Sequence, residues 1–254
     1  MIEENRRDFI HEVFINTNEK NTMTDEFFLK LEKCLSAVED DRSVKAIFLS
    51  SKNEKFFSNG FEPTMFIGKT QKEIETAFRP VLDSVFKLAF YPKPIVCYIN
   101  GHVMGVGSVV AIVSDYRVML HGRARFGFPE SKIGVGFPSA TGFFLKELLG
   151  YRAARDVLNF GKAYKAEEAL EIGLVDAIGK EEEIPKILNK IFSNYKDMAL
   201  ESVIGMKKTL RDYMKPIMEP LGREDVYEFS RTIAAPNGQE GMRSIVEARR
   251  PMFQ

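Results

Sequence analysis

Residues 93–119 read KPIVCYINGHVMGVGSVVAIVSDYRVM, and how this stretch folds decides the architecture of the whole chain. Its first part, 94–100, is apolar, uncharged and partly β-branched, which suits a strand buried on both faces. GHVMGVG then brings glycines at 101, 105 and 107, after which an apolar run continues to about Ser114 and reads as a buried helix. Residues 116–120 supply the next strand. Residues 94–113 approach the length of a membrane span. Asn100, His102 and the three glycines lie inside them, and Pro92 and Pro94 precede or open them, so strand, turn and buried helix are the better reading. The glycines also fail the dinucleotide fingerprint: after Gly105 and Gly107 the third position is Val110, and no acidic ribose partner follows at the proper distance. What remains is a helix whose first turn is stripped of bulk. Either a ligand approaches its free N–H groups or the helix packs closely on a sheet.

The same grammar extends outward. Residues 11–16 form a short strand candidate, Thr24 a helix N-cap, and Phe27, Leu31, Leu35 and Val38 one helical face. Residues 44–50 suit a buried strand, and SKNEKFFSNGF (51–61) a polar loop that ends at Gly60 and presents backbone. A helical pattern covers 71–90 and stops at Tyr91-Pro92. From 138 onward the chain is mostly helical. Gly150, Gly161 and Gly173 stand where C-terminal caps belong, and a short strand is expected at 174–178. Strand–helix alternation followed by helices alone argues for an α/β fold, with a core at 1–195 and a helical region at 196–254.

Several chemistries are excluded. The 36 basic and 36 acidic residues balance, so there is no global field for nucleic acid or an anionic membrane. Hydrophobic residues at 44% and charged residues at 28% are ordinary for a globular protein. His11, His102 and His121 form no metal-ligand pair, and no metal is expected. Ser108 (GVGSV) and Ser139 (FPSAT) lie in no nucleophile elbow, and no phosphate-binding P-loop occurs. Cys34 and Cys97 have no redox spacing and read as buried, reduced thiols. MIEENRRDFI lacks the features of a signal peptide, which points to a cytoplasmic protein.

One carboxylate stands out. In ARFGFPESKIGVGFPSATG (124–142), Glu130 lies among Phe126, Phe128, Ile133, Val135 and Phe137. Pointing outward it is a solvated loop residue. Pointing inward its pKa rises, as a proton-transferring base requires.

Taken in order, six segments resemble the crotonase (enoyl-CoA hydratase/isomerase) superfamily over nearly the whole chain. INTNEKNTMTDEF resembles the family's first strand-to-helix passage, FFSNGFE its first oxyanion loop and INGHVMGVGSVVA its second. FGFPESKIGVGFPSATG resembles the catalytic loop, YKAEEALEIGLVDAI the helix–glycine–strand that follows, and EFSRTIAAPNGQEGMRSIVEARRPMF the C-terminal helices. The resemblance implies a crotonase-type ββα spiral core, with the helical region serving trimerisation, as a homotrimer or a dimer of trimers. It implies an acyl-CoA thioester as substrate, with coenzyme A a carrier and no other cofactor.

It also assigns roles. The thioester carbonyl is expected between the backbone N–H groups of Phe61 and Val106, in loops that include Asn59, Gly60 and Gly105, with Phe137 near the acyl group. Val106 replaces the glycine usual at the second donor, which keeps the N–H and narrows the pocket. Glu130 falls on one of the two glutamates used by the family's hydratases; the other falls on Val109 and is absent. A single carboxylate suffices to take a proton at C2 and return it at C4, the pattern of the Δ3,Δ2-enoyl-CoA isomerases. Isomerisation is therefore expected, with hydration, acyl-CoA decarboxylation or non-catalytic acyl-CoA binding as alternatives. Lys20 and Thr22 fall where the family approaches the CoA nucleotide. Glu62 falls on an acidic position with a structural or CoA-adjacent role. Phe229 falls on an aromatic that reaches CoA from the neighbouring subunit, with a helix-packing residue as the alternative reading, and the lysine that often accompanies it falls on Ala248.

Overall fold

The computed structural model describes all 254 residues. An N-terminal hairpin, β1 (Ile2–Arg7) and β2 (Ile10–Ile15), turns at Asp8, and α1 (Asp25–Ser36) follows with the Thr24 side chain accepting from the Phe27 N–H. The chain then repeats one unit three times: a longer strand, a short strand, a helix. The first turn is β3 (Ala46–Ser51), β4 (Phe56–Ser58) and α2 (Gln71–Ala89). The second is β5 (Ile95–Ile99), β6 (His102–Met104) and α3 (Val106–Val113). The third is β7 (Tyr116–Leu120), β8 (Phe126–Gly127) and α4 (Ser139–Phe160, broken at Gly150). Next come β9 (Ala163–Tyr164), α5 (Ala166–Glu171), β10 (Ala177–Gly179) and α6 (Ile184–Lys196). The chain ends in α7 (Leu200–Arg211), α8 (Lys215–Ala234) and α9 (Pro236–Val246).

Each turn of this spiral feeds two sheets. The long strands build a six-stranded sheet, β1-β2-β3-β5-β7-β10, parallel except at the β1–β2 edge. The short strands build a four-stranded sheet, β4-β6-β8-β9. β3 is buried at every residue and β5 at all but Tyr98, as a parallel strand covered on both faces must be. No helix is long and apolar enough to cross a membrane.

Several sequence-based boundaries need correction. The segment 51–61 is not all loop, because Phe56–Ser58 pairs with β6 before the chain turns at Gly60. Likewise His102–Met104 is a strand between the Gly101 turn and α3. The expected strand at 174–178 is shorter and later, at Ala177–Gly179. β1 was not anticipated: IEENRR lies at the sheet edge with five exposed residues and has no apolar alternation to betray it. Cys97 is buried, but Cys34 is only half-buried, and its thiol donates to Glu4 (3.2 Å).

The C-terminal helices close over the core of their own chain. α8 packs on α2 and α4, and α9 packs on α8 and on the turn that carries Glu130. Buried Asp225 of α8 accepts from the N–H groups of Ser139 (2.6 Å) and Ala140 (2.8 Å), capping the exposed donors at the start of α4. Thr232 Oγ1 accepts from the Gly136 N–H (3.0 Å). Gln239 accepts from the Gly68 N–H (2.8 Å) and donates to the Phe66 carbonyl (3.0 Å). The segment 196–254 therefore holds two loops of the core in place.

Candidate active site

The two glycine loops meet backbone to backbone. Gly60 (φ +92) and Gly105 (φ +54) adopt conformations that L side chains rarely take, and a Cβ on Gly105 would stand 3.7 Å from the Gly60 Cα. Phe61 and Val106 follow them directly. The Phe61 N–H lies between Gly60, whose carbonyl accepts from Met23, and Glu62, whose N–H donates to the Met23 carbonyl; Phe61 itself makes neither bond. Val106 is the first residue of α3, where a helix leaves its N–H groups without intrahelical acceptors. The alternative reading of the glycines as packing devices holds for Gly107, where a Cβ would meet the Ser58 Cβ at 2.6 Å.

Glu130 opens a single 3-10 turn (Glu130–Ile133) that ends at Gly134 in the left-handed region, with the Val135 N–H donating to the Glu130 carbonyl (3.0 Å). The side chain turns inward. Its Oε1 lies 3.6 Å from where a Gly105 Cβ would be, so the carboxyl rests over the start of α3. The residue as a whole is half-buried, yet Oε2 reaches no solvent and has no hydrogen-bond partner. Burial pushes this carboxyl from its ordinary value up to about 7. Such a group exists in both protonation states near neutrality and can both take and give a proton.

Glu130 shares a small cavity with Phe61, Val106, Val109, Phe137 and Phe229. Its volume of about 20 Å³ is room for roughly one water. Val109 is buried on the first turn of α3, and Glu130 is the one carboxylate in the lining. The rest of the wall is Phe78, Val81, Leu82 and Val85 of α2, with Pro138 and Thr141 at the start of α4. None of these was singled out from the sequence. The α2 residues belong to its apolar stripe, which announces burial without saying against what.

Other candidate residues lie apart. Asn59 donates its N–H to the Lys20 carbonyl (3.1 Å), and the Lys20 side chain is exposed. Thr22 is buried and donates to the Glu62 carboxylate (2.8 Å), which also accepts from Thr64 (3.1 Å). Glu62 is thus tied to two hydroxyls outside the Glu130 cavity and is no second carboxylate for it. Phe229 is buried and packs against Phe78 of its own chain (ring centroids 4.3 Å), where α8 folds back on α2.

A larger hollow of about 580 Å³ lies elsewhere, between α7 and Pro94, Asp115, Tyr116 and Tyr195. Its charges are already paired: Asp115 binds Lys207 (2.6 Å) and Arg211 (3.1 Å). The smaller cavity, rather than the larger one, holds a carboxyl oxygen without a partner.

A family model described as Enoyl-CoA hydratase/isomerase matches residues 7–254. "Enoyl-CoA delta isomerase 1, mitochondrial" of Rattus norvegicus is 23% identical over 232 residues, covering 89% of this chain and 79% of that protein. A "Putative enoyl-CoA hydratase" of Thermus thermophilus is 28% identical over 253 residues, covering 95% of this chain and 96% of its own. The crystal structure of human mitochondrial delta3-delta2-enoyl-CoA isomerase superimposes with a TM-score of 0.92 at 22% identity, covering 97% of each chain. At that identity the likeness establishes the fold, a crotonase-type spiral. The names of the sequence relatives divide between isomerase and hydratase.

Proposed function

The chain belongs to the enoyl-CoA hydratase/isomerase family, and on that premise we propose that it converts 3-enoyl-CoA to 2-enoyl-CoA with Glu130 as its single acid/base. One observation carries the choice of reaction: Glu130 is the only carboxylate in its cavity, and Val109 occupies the first turn of α3 where a second would be needed.

In this reading the thioester oxygen accepts from the N–H groups of Phe61 and Val106. The positive end of the α3 dipole adds to the field on the oxygen as it gains charge. Glu130, ionised, removes a proton from C2; the electrons move into the thioester and leave a dienolate. The protonated Glu130 then returns the proton at C4 as the double bond forms between C2 and C3. No atom is gained or lost, so no water has to be oriented. An apolar Val109 disfavours a bound hydroxide or water at that wall. Lys20, exposed and with its carbonyl accepting from the Asn59 N–H, is proposed to meet the CoA nucleotide. The proposed assembly is a trimer or a dimer of trimers, checked by mass in solution.

Hydration is the second reading. Buried Thr141 lines the same cavity, and its volume of about 20 Å³ accommodates one water between polar groups. Purified protein assayed with 3-hexenoyl-CoA and with crotonyl-CoA separates the two. Isomerisation abolished by Glu130→Gln is the expected result; rapid hydration of crotonyl-CoA by the unaltered protein would reverse the choice.

A further inference from the structure

Part of the wall of the Glu130 cavity is aromatic. Phe78 and Phe229 are both buried, with ring centroids 4.3 Å apart and planes inclined by 33°, and Phe61 stands edge-on to Phe78 at 6.0 Å. All three rings line the Glu130 cavity. Phe229 is also held between two anchors on its own helix. Asp225, one turn earlier, caps the start of α4, and Thr232, three residues later, accepts from Gly136 and donates to the Phe229 carbonyl (2.8 Å). The backbone that carries the ring is therefore tied on both sides of Phe229.

We propose that Phe229, acting in its own subunit with Phe78, forms the end wall of the acyl pocket and restricts the substrate to short-chain acyl-CoA thioesters. The inference rests on the acyl-CoA reading above and adds the substrate class to it. With the thioester oxygen at Phe61 and Val106 and C2 beside Glu130, the remaining acyl carbons run toward these rings. The first few can be received by rotating exposed edges of Phe61 and Phe137, both of which are half-buried. Longer chains must separate the stacked Phe78–Phe229 pair, which contributes both its buried area and its ring contact. A stacked ring on an anchored backbone yields less readily than one on a mobile loop.

The test uses the whole protein and two independent readouts. The first is kcat/KM for 3-hexenoyl-CoA and 3-decenoyl-CoA. The second is calorimetric binding of butyryl-CoA and decanoyl-CoA to Glu130→Gln, which needs no turnover. The unaltered wall is expected to favour the shorter ligand in both. Phe229→Ala should raise the long-to-short ratio at least roughly tenfold, the effect of about one methylene accommodated in an apolar pocket. Phe229→Leu and Phe78→Leu, which keep the core filled, should move it the same way. Equal handling of short and long chains by the unaltered wall would overturn the proposal, as would an unchanged ratio in folded Leu variants. Failure to bind any acyl-CoA would instead sink the functional reading and this inference with it.

Discussion

A Cβ on Gly241 would stand 1.8 Å from the carbonyl oxygen of Ile133, so α9 meets the Glu130 turn backbone against backbone. That contact lets a C-terminal helix set the height of the turn that carries Glu130. Gly241→Ala must push the two apart, and overpacking of this kind costs about 1–3 kcal/mol. Thermal melting should fall, and kcat should fall further than KM changes, because the displaced group is the carboxyl and not the carbonyl site. Gly205→Ala is the control. It lies inside α7 with nothing within 4 Å of an added Cβ, so it should stabilise by roughly 0.5–1 kcal/mol and leave kcat alone.

The pH dependence follows from the desolvated carboxyl. In the proposed reaction Glu130 must be ionised to take the C2 proton, so kcat/KM should rise with pH through about 7 and level off above it. The stability effect has the opposite sign. A folded-state pKa above the unfolded value means that protonation favours the fold, a contribution present at low pH and lost as pH rises through about 7. Glu130→Gln removes that loss. Urea unfolding at pH 8 should find the variant more stable by up to about 3 kcal/mol, with the gap closing toward pH 4.5. A profile flat between pH 5 and 8 would remove Glu130 as the base.

Val109→Glu places a second carboxyl on the first turn of α3, in the same cavity. Two nearby carboxylates resist joint ionisation, so the kcat/KM midpoint should move above about 7. Hydration of crotonyl-CoA should rise from its starting level while isomerisation falls. An unaltered hydration rate in a folded variant would mean that a missing carboxylate is not what limits that reaction.

How much of this was legible depends on the range of each interaction. The five apolar residues around Glu130, from Phe126 to Phe137, left its orientation open, and only the resemblance of the surrounding segments favoured the inward turn. The α3 helix was readable from its apolar run, and Thr24 from its capping chemistry. The packing of Phe229 on Phe78 was not readable, because nothing local says whether α8 turns back on α2. That depends on Asp225 reaching Ser139 and Thr232 reaching Gly136, contacts across 86 and 96 residues. β8 and β9 have two residues each, too few to carry a period. The partner of Glu62 was equally out of reach, because Thr22 lies 40 residues away in the sequence.

Asp115 supplies a test of stability that should leave the chemistry untouched. It accepts from the Ile95 N–H (2.8 Å) at the start of β5 and is the counter-ion of both Lys207 and Arg211, which hold α7 to the sheet. Asp115→Ala leaves two largely buried cations with backbone carbonyls alone and should cost about 3–5 kcal/mol. Lys207→Met should cost less, because Arg211 still neutralises Asp115. Burial lowers the Lys207 pKa from its ordinary value to about 8. A base with a depressed folded pKa sheds its proton more readily when folded, so the unaltered protein should gain stability between about pH 8 and 10.5. Lys207→Met should lack that gain, which urea unfolding at pH 7 and pH 10 would measure. Neither residue lines the Glu130 cavity, so kcat per folded molecule should be retained at low temperature. A selective loss of kcat in folded Asp115→Ala would show instead that the α7 contact reaches the reactive carboxyl.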